Sequence, residues 1–207
     1  MLIFHSIEDP KLVALLKEGG VGVLPADTLY GIMCSAHNPK AVERLYQIKT
    51  RELKPGTLIA ANVDQLVELG IPRRYLKPVE HYWPNPISVV VPTTPALSYL
   101  DHGLMSLPVR IPKDEKLLAL LEKTGPLQTT SANLPDEPPA TDYSEALAYF
   151  GEMVDFYVDA GQMASFPPST IIRVVDDAVE VLRQGAVKID EKGEIVDDIS
   201  GVPEARA

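Results

Sequence analysis

A single cysteine, Cys34, occurs in the 207 residues, which excludes an internal disulfide and any zinc cluster built on several thiolates. That usage fits a reducing compartment. No apolar stretch approaches the roughly 20 residues a bilayer span requires. The N-terminus MLIFHSIEDPKL has neither the basic start nor the small-residue cleavage site of a secretory signal. The expectation is a soluble, cytoplasmic protein with no membrane contact. Positive charge is also scarce: 19 Lys and Arg stand against 29 Asp and Glu, for a net charge of -10. Aromatic residues make up only 6%. A chain that grips nucleic acid through phosphates and stacked bases needs the reverse of both, so duplex DNA or RNA is not expected as the primary ligand. The charge is uneven, however. Residues 40–77 hold eight basic side chains against four acids, and 124–172 hold seven acids and no Lys or Arg. A local positive pocket for a small anion is compatible with that distribution.

The common catalytic signatures are missing as well. There is no P-loop, no H-E-x-x-H, no G-x-S-x-G and no G-x-G-x-x-G. GGVG at 19–22 ends a helical pattern and opens a strand, whereas a dinucleotide fingerprint ends a strand and opens a helix. The histidines, His5, His37, His81 and His102, have no spacing that would let two share a metal from one element, so no metal ligands are assigned. Cys34 lies in an apolar run, where a thiol behaves as a small hydrophobe.

What the chain does contain is alternating short apolar runs and helical stripes, dense in turns, with 19 prolines. Ser6 and Asp9 resemble a capping box. Pro10 sits in the first turn, Leu12, Leu15 and Leu16 form a stripe, and Gly19-Gly20 stop it. The first element is therefore expected to be a helix. Asn38-Pro39 is an N-cap and N1 pair for a second helix carrying Val42, Leu45 and Tyr46 and ending near Lys49. Strands are expected at 21–25, 29–34, 57–61, 88–92, 107–111, 127–130, 154–159, 169–175 and 179–183, from their β-branched and apolar content. Helical patterns at 63–69, 114–123 and 143–150, with a weaker one at 72–83, lie among them. Interleaving of this kind argues for one layered α/β domain over 1–190, followed by an acidic tail over 191–207 with room for one short strand.

Several polar residues sit where such a fold must have a reason to accept them. Lys49 continues the stripe of Val42, Leu45 and Tyr46 at i+7, beside the core-facing side of its helix, and Arg51 follows at the helix end. Either a snorkelling surface pair or a ligand pair satisfies that pattern. Arg110 alternates with Val109 and Ile111 in a strand, and a half-buried arginine needs an anionic partner, either an acid of the protein or a ligand. Gln128, Thr129, Thr130, Ser131, Ala132 and Asn133 place hydroxyls and an amide at a strand end, suited to capping a turn or to holding phosphate and carboxylate oxygens. Pro168-Ser169-Thr170 opens another strand, and Leu182-Arg183-Gln184-Gly185 closes a hairpin-like unit.

In this order the segments resemble the YrdC-like family of L-threonylcarbamoyladenylate synthases, across roughly residues 10–190. PADTLYG at 25–31 is similar to the family's P-T-[DE]-T-x-Y-G. Lys49-Thr50-Arg51 matches its K-x-R, and Ser131-Ala132-Asn133 its S-x-N. YWPNPISVVVP, LPVRIP, PPST and LRQG resemble its W-P-G-P-x-T, V-R-x-P, P-S-T and L-R-x-G segments. Departures are Ala26 for the first Thr, Glu52 after K-x-R, Asn85 for Gly, Ser88 for Thr, and Leu134-Pro135-Asp136 where L-S-G is usual. A paralogous YciO-like group lacks the intact K-x-R and S-x-N set, and both are present here.

The resemblance implies a YrdC-like α/β fold: a twisted mixed β-sheet flanked by helices, with a concave, positively charged cavity. It also implies the formation of threonylcarbamoyl-AMP from L-threonine, bicarbonate or CO2 and ATP, for the N6-threonylcarbamoyladenosine of tRNA. Two alternatives are a non-catalytic nucleotide- or RNA-binding paralogue and a carbamoyl-adenylate-forming relative. By the same resemblance Lys49 and Arg51 are the catalytic cations, and they bind ATP with Ser106, Ser131, Asn133 and Arg183. Arg110 clamps the threonine carboxylate, and Thr28, Thr129, Thr130 and Ser169 read the rest of the amino acid. Magnesium is expected with ATP. The loop 134–141 is a candidate lid, and the downstream partner is a threonylcarbamoyl-transferring tRNA-modification protein.

Overall fold

The computed structural model describes residues 1–49, 54–163, 167–176 and 178–197. The chain opens not with a helix but with a short strand, β1 (Leu2–Phe4), followed by α1 (Pro10–Lys17), β2 (Gly22–Pro25), β3 (Tyr30–Ser35) and α2 (Pro39–Ile48). Next come β4 (Thr57–Ile59), α3 (Val63–Leu69), α4 (Arg73–Leu76), β5 (Ile87–Pro92), α5 (Ser98–Asp101), β6 (Ser106–Arg110) and α6 (Glu115–Thr124). The chain continues through β7 (Leu127–Ser131), α7 (Tyr143–Phe150), β8 (Phe156–Val158), β9 (Thr170–Val175) and β10 (Ala178–Arg183), and the described part ends on β11 (Lys188–Ile189) and β12 (Ile195–Asp197).

The first strand escapes a pattern search because it is three residues long and its pairing is remote. Leu2, Ile3 and Phe4 run parallel to Phe156, Tyr157 and Val158, and no local feature encodes a partner that distant. The cap of α1 is Asp9, whose carboxylate accepts from Lys11 N at 2.8 Å, whereas Ser6 accepts only from Glu8 N in the preceding turn. The stripe at 72–83 resolves into the single turn α4 and a 3-10 segment, Lys77–Tyr82, since Pro78 cannot donate to the helical ladder. Asn38 and Pro39 start α2 as expected, with Asn38 Oδ1 accepting from Ala41 N at 3.1 Å. Residues 191–197 form part of a hairpin in which Lys188 pairs with Asp197. Tyr82 donates to Gly193 O at 2.8 Å, fixing that hairpin to the domain.

Ten strands form one mixed sheet in the order β1-β8-β2-β3-β7-β4-β6-β5-β9-β10. Pairs β1-β8, β2-β8, β4-β6 and β5-β9 are parallel, and the others antiparallel. Side chains alternate between the two faces, and each face has its own core. Helix α2 lies over one core, which takes Val23, Tyr30, Ile32, Cys34, Val42, Leu45, Leu58 and Val109. Helices α1 and α6 pack together over the other, giving it Leu12, Leu16, Leu117, Leu120 and Leu121 against Leu24, Met33, Ile59, Leu127 and Phe156. Burial among these side chains pushes the Cys34 thiol far up, in keeping with a packing role.

Asp155 ties the first core to the sheet. Its carboxylate accepts from Val21 N at 2.8 Å and from Arg44 Nη1 of α2 at 2.6 Å. Burial pushes its pKa up, but the Arg44 hydrogen bond and the Val21 N–H outweigh that and hold it below the ordinary carboxylate value. A depressed carboxylate contributes stability that is present above its unfolded pKa and lost as pH falls through the folded one. Urea unfolding followed across the acid range should therefore show a smaller loss of stability for Asp155→Asn than for the parent chain. Phe156 is fully buried, packs edge-on against Phe4 at 6.1 Å and occupies the space that a Cβ on Gly22 would need. Phe156→Ala should cost about 3–5 kcal/mol in the same measurement.

Candidate functional site

Helices α1 and α6 cover only part of their sheet face. Under them lie Met33, Ile59 and Leu127; further along, the same face presents Gly31 on β3 and Thr129 and Ser131, two and four residues past Leu127, on β7. Thr57 pairs with Thr129, Gly31 with Ser131, and Ile59 with Arg110, so Arg110 and Pro108 of β6 share this side. A cavity of about 240 Å³ opens here. From the loop between β2 and β3 it takes Ala26, Thr28 and Leu29, and from the far end of the sheet Pro168, Ser169, Ile171 and Arg183. Thr28, Arg110, Thr129, Thr130 and Ser169 are all buried. Among the described residues lining the cavity there are two guanidinium groups and no carboxylate.

Two glycines keep this surface open. A Cβ on Gly31 would stand 2.8 Å from Thr129 Oγ1, and one on Gly185 would stand 2.0 Å from Pro168 O. The second contact lets the end of β10 close onto the start of β9. There Arg183 donates to Ser169 O from Nε at 3.1 Å and from Nη2 at 2.7 Å, with Nη2 also 3.3 Å from Ser169 Oγ. Ser169 Oγ meets Ser88 Oγ at 3.1 Å. Ser88, the departure from the family's Thr, thus supports a residue of the cavity wall.

Lys49 is neither a snorkelling nor a surface residue. It is the C-cap of α2 and only 6% exposed. Its Nζ donates to Ser131 O at 2.8 Å, to Asn133 Oδ1 at 2.9 Å and to Asn133 O. Ser131 Oγ donates to the same Asn133 Oδ1 at 2.7 Å, and Asn133 Nδ2 donates to Glu137 O at 2.8 Å. Capping and ligand holding, open alternatives for the 128–133 segment in the sequence, are thereby combined: the ammonium organises the turn from behind, and Ser131 fronts the cavity. Arg51 lies outside the described residues. Ser106 shares the sheet face with Pro108 and Arg110 but starts β6 four residues before Arg110, and it is not among the residues lining the cavity. Pro139 of the loop 134–141 does line it.

Arg110 finds its anionic partner inside the protein. Asp27 Oδ1 lies 2.9 Å from Arg110 Nη2, with the two side chains 3% and 6% exposed. Burial pushes the Asp27 carboxyl above the usual carboxylate range, while the adjacent guanidinium pulls the other way. Sequence reading passed over Asp27, although an acid between two apolar strands was a signal that it needed a partner. It passed over Thr57 too, whose place depends on the pairing of β4 with β7. Tyr46 is a third omission: its hydroxyl donates to Leu100 O at 2.7 Å and accepts from Gly56 N at 3.1 Å and Gln128 Nε2 at 2.9 Å, anchoring the cavity's Pro55-Gly56 edge to α2 and β7.

Fold and cavity together define an α/β protein whose mixed sheet leaves a pocket lined by hydroxyls and two guanidinium groups, contributed by strands and the loops between them. The family model described as "Telomere recombination" matches residues 14–185, and the chain belongs to that Sua5/YciO/YrdC family. A protein of Mycobacterium leprae, provisionally named a threonylcarbamoyl-AMP synthase, is 32% identical over 191 residues, covering 89% of this chain and 86% of that protein. The threonylcarbamoyl-AMP synthase of Bacillus subtilis is 30% identical, over 88% of this chain and 55% of its own length. The crystal structure of P. abyssi Sua5 complexed with L-threonine superposes with a TM-score of 0.79 at 25% identity, covering 90% of this chain and 58% of that one. The chain therefore spans little more than half of the last two proteins.

The turn around Asn133 yields a direct test. Asn133→Ala removes the acceptor shared by Lys49 and Ser131 and the donor to Glu137 O, and should lower stability by about 1–3 kcal/mol. Hydrogen exchange should speed up over 131–140, including the Ala132 amide that bonds Tyr30 O and the Ala140 amide that bonds Ala132 O. Unchanged exchange there would show that the turn does not depend on this side chain.

Proposed function

We propose that this chain is an L-threonylcarbamoyladenylate synthase, a nucleotidyltransferase that makes threonylcarbamoyl-AMP and pyrophosphate from L-threonine, bicarbonate or CO2, and MgATP. The observation that carries this reading is the meeting, around one cavity, of Thr28, Arg110, Thr129, Thr130, Ser131, Ser169 and Arg183, contributed by segments more than a hundred residues apart. Names carried by relatives in Mycobacterium leprae and Bacillus subtilis, and the threonine held by the P. abyssi protein, point the same way.

In this reading the threonine carboxylate docks on Arg110, whose planar fork suits it better than an ammonium would. Thr28, Thr129, Thr130 and Ser169 take the hydroxyl and amine. The amine, having lost its proton, attacks the carbon of CO2 to form a carbamate; from bicarbonate the same product forms with loss of water. A carbamate oxygen then attacks the α-phosphorus, the bond from that phosphorus to the bridging oxygen breaks, and pyrophosphate leaves with the bond's electron pair. No protein nucleophile is needed. What the protein supplies is orientation and donors for the charge that gathers on the phosphate oxygens. We assign that role to Arg183, Ser131 and Ser106, to Lys49 and Asn133 through the turn they build, and to Arg51 by its place in K-x-R.

Magnesium enters as part of the nucleotide substrate. Among the described residues no cluster of three or more His, Cys, Asp or Glu is poised to hold a metal. We assign the loop 134–141, which brings Pro139 to the cavity, the role of a lid that keeps water from a hydrolysable carbamate and adenylate. The product would pass to a threonylcarbamoyl-transferring protein that modifies tRNA. No helix of the described residues is long and apolar enough to cross a membrane, and the proposed site of action is the cytoplasm.

Incubation with L-threonine, bicarbonate, MgATP and labelled pyrophosphate should give threonine-dependent exchange of label into ATP. Exchange that needs carbamoyl phosphate instead, or tight salt-dependent tRNA binding with no exchange, would overturn the assignment. Arg110→Lys should raise the threonine KM by about tenfold or more with the ATP KM little changed.

A further inference from the structure

Asp27 sits at the tip of the loop joining β2 to β3, where Ala26 N donates to Leu29 O at 3.0 Å and closes the turn. Its neighbours Ala26 and Thr28 line the cavity, but Asp27 itself does not; its carboxylate is turned inward against Arg110. A buried carboxylate is expensive to keep unless it compensates another charge, and the cation it meets is the one on the cavity wall. The contact is deliberately incomplete in chemical terms. Nη2 stands 2.9 Å from Asp27 Oδ1, the backbone of Asp27 and Lys113 also holds the carboxylate, and Arg110 Nε has no hydrogen-bond partner among the described residues. A guanidinium carries five N–H donors in a rigid plane, so most of its fork is left for a second carboxylate arriving from the cavity.

We propose that Asp27 is the positioning residue of the amino-acid site: its buried charge fixes the plane of Arg110 from behind, so that the open side of the guanidinium faces the substrate carboxylate. Asp27 does not touch the substrate. It neutralises Arg110 while the pocket holds no amino acid, and it makes the clamp preformed rather than assembled on binding, which is where affinity is gained. Thr28, next in sequence, is placed in the cavity by the same turn, so one loop supplies both a cavity hydroxyl and the residue behind the clamp. This inference rests on the synthase reading and on Arg110 as the carboxylate clamp.

The test compares Asp27→Asn, Asp27→Glu, Arg110→Lys and the double variant D27N/R110K in the threonine-dependent exchange assay. Asp27→Asn should raise the threonine KM by about tenfold, with kcat and the ATP KM within about twofold of the parent. Asp27→Glu, which keeps the charge, should recover most of that loss. In the Arg110→Lys background, Asp27→Asn should change the threonine KM no further, because its effect runs through the guanidinium. Should Asp27→Asn fail to fold, Asp27→Ser is assayed in its place and the same split is expected. An unchanged threonine KM, or equal rises for threonine and ATP, overturns the proposal. Additive effects in the double variant do so as well. No threonine-dependent exchange in the parent chain overturns the synthase reading instead, and an unaffected threonine KM in Arg110→Lys overturns the clamp.

Discussion

A charged group can stay inside a sheet-and-helix sandwich only if oxygen atoms surround it, and in this protein that requirement shapes the whole site. Lys49 and Arg110 are both withdrawn from water. Each is held by atoms from distant segments: Lys49 by the carbonyls and amide of Ser131 and Asn133, Arg110 by Asp27. Removing either set of partners would leave an uncompensated charge, a larger cost than the contact itself is worth. The turn after β7 and the loop before β3 are therefore tied to the two cations, and between them these segments shape one side of the cavity.

The packing of the sheet decides where those cations can be. On the α1 and α6 side, leucines from both helices seal Met33, Ile59 and Leu127. Beyond that seal the same strands carry Gly31, Thr129 and Ser131, small or hydroxylic residues that could not form a core. The site is the place where one face changes composition within a strand while the opposite face packs on Ile32, Cys34, Leu58 and Val109, with the buried Gln128 held by the Tyr46 hydroxyl. Rigidity comes from that second core. The hydroxyls of Thr57, Thr129, Thr130 and Ser131 stand on strands, which suits chemistry that depends on orientation more than on any reactive side chain.

Much of this was legible from residues alone. The cap at Asn38, the stripes of α1 and α2, the helical pattern of α6 and nearly every strand of the large sheet follow from local patterns. The site residues were legible as anomalies, polar side chains at element ends and inside strands. Their partners were not. That Arg110 needs an anion is a statement about one residue, whereas that the anion is Asp27 is a statement about strand order, since β2 and β6 are separated in the sheet by β3, β7 and β4. The three-residue shift of the first cap also follows from context: Ser6 looked like the cap because it begins a capping pattern, but Asp9 has the extended backbone of an N-cap and its carboxylate reaches the first helical turn.

The sequence by itself determined the class of the protein, most of its helices and strands, and which side chains were out of place in a core, because those follow from hydrophobic period, capping chemistry and the cost of burying charge. Only the tertiary structure decided that β1 exists, that Lys49 braces the turn of Ser131 and Asn133, and that Asp27 stands behind Arg110. Each of these depends on segments brought together across the sheet, and pairing between remote strands is set by the packing of both faces at once, which no local stretch of the chain contains.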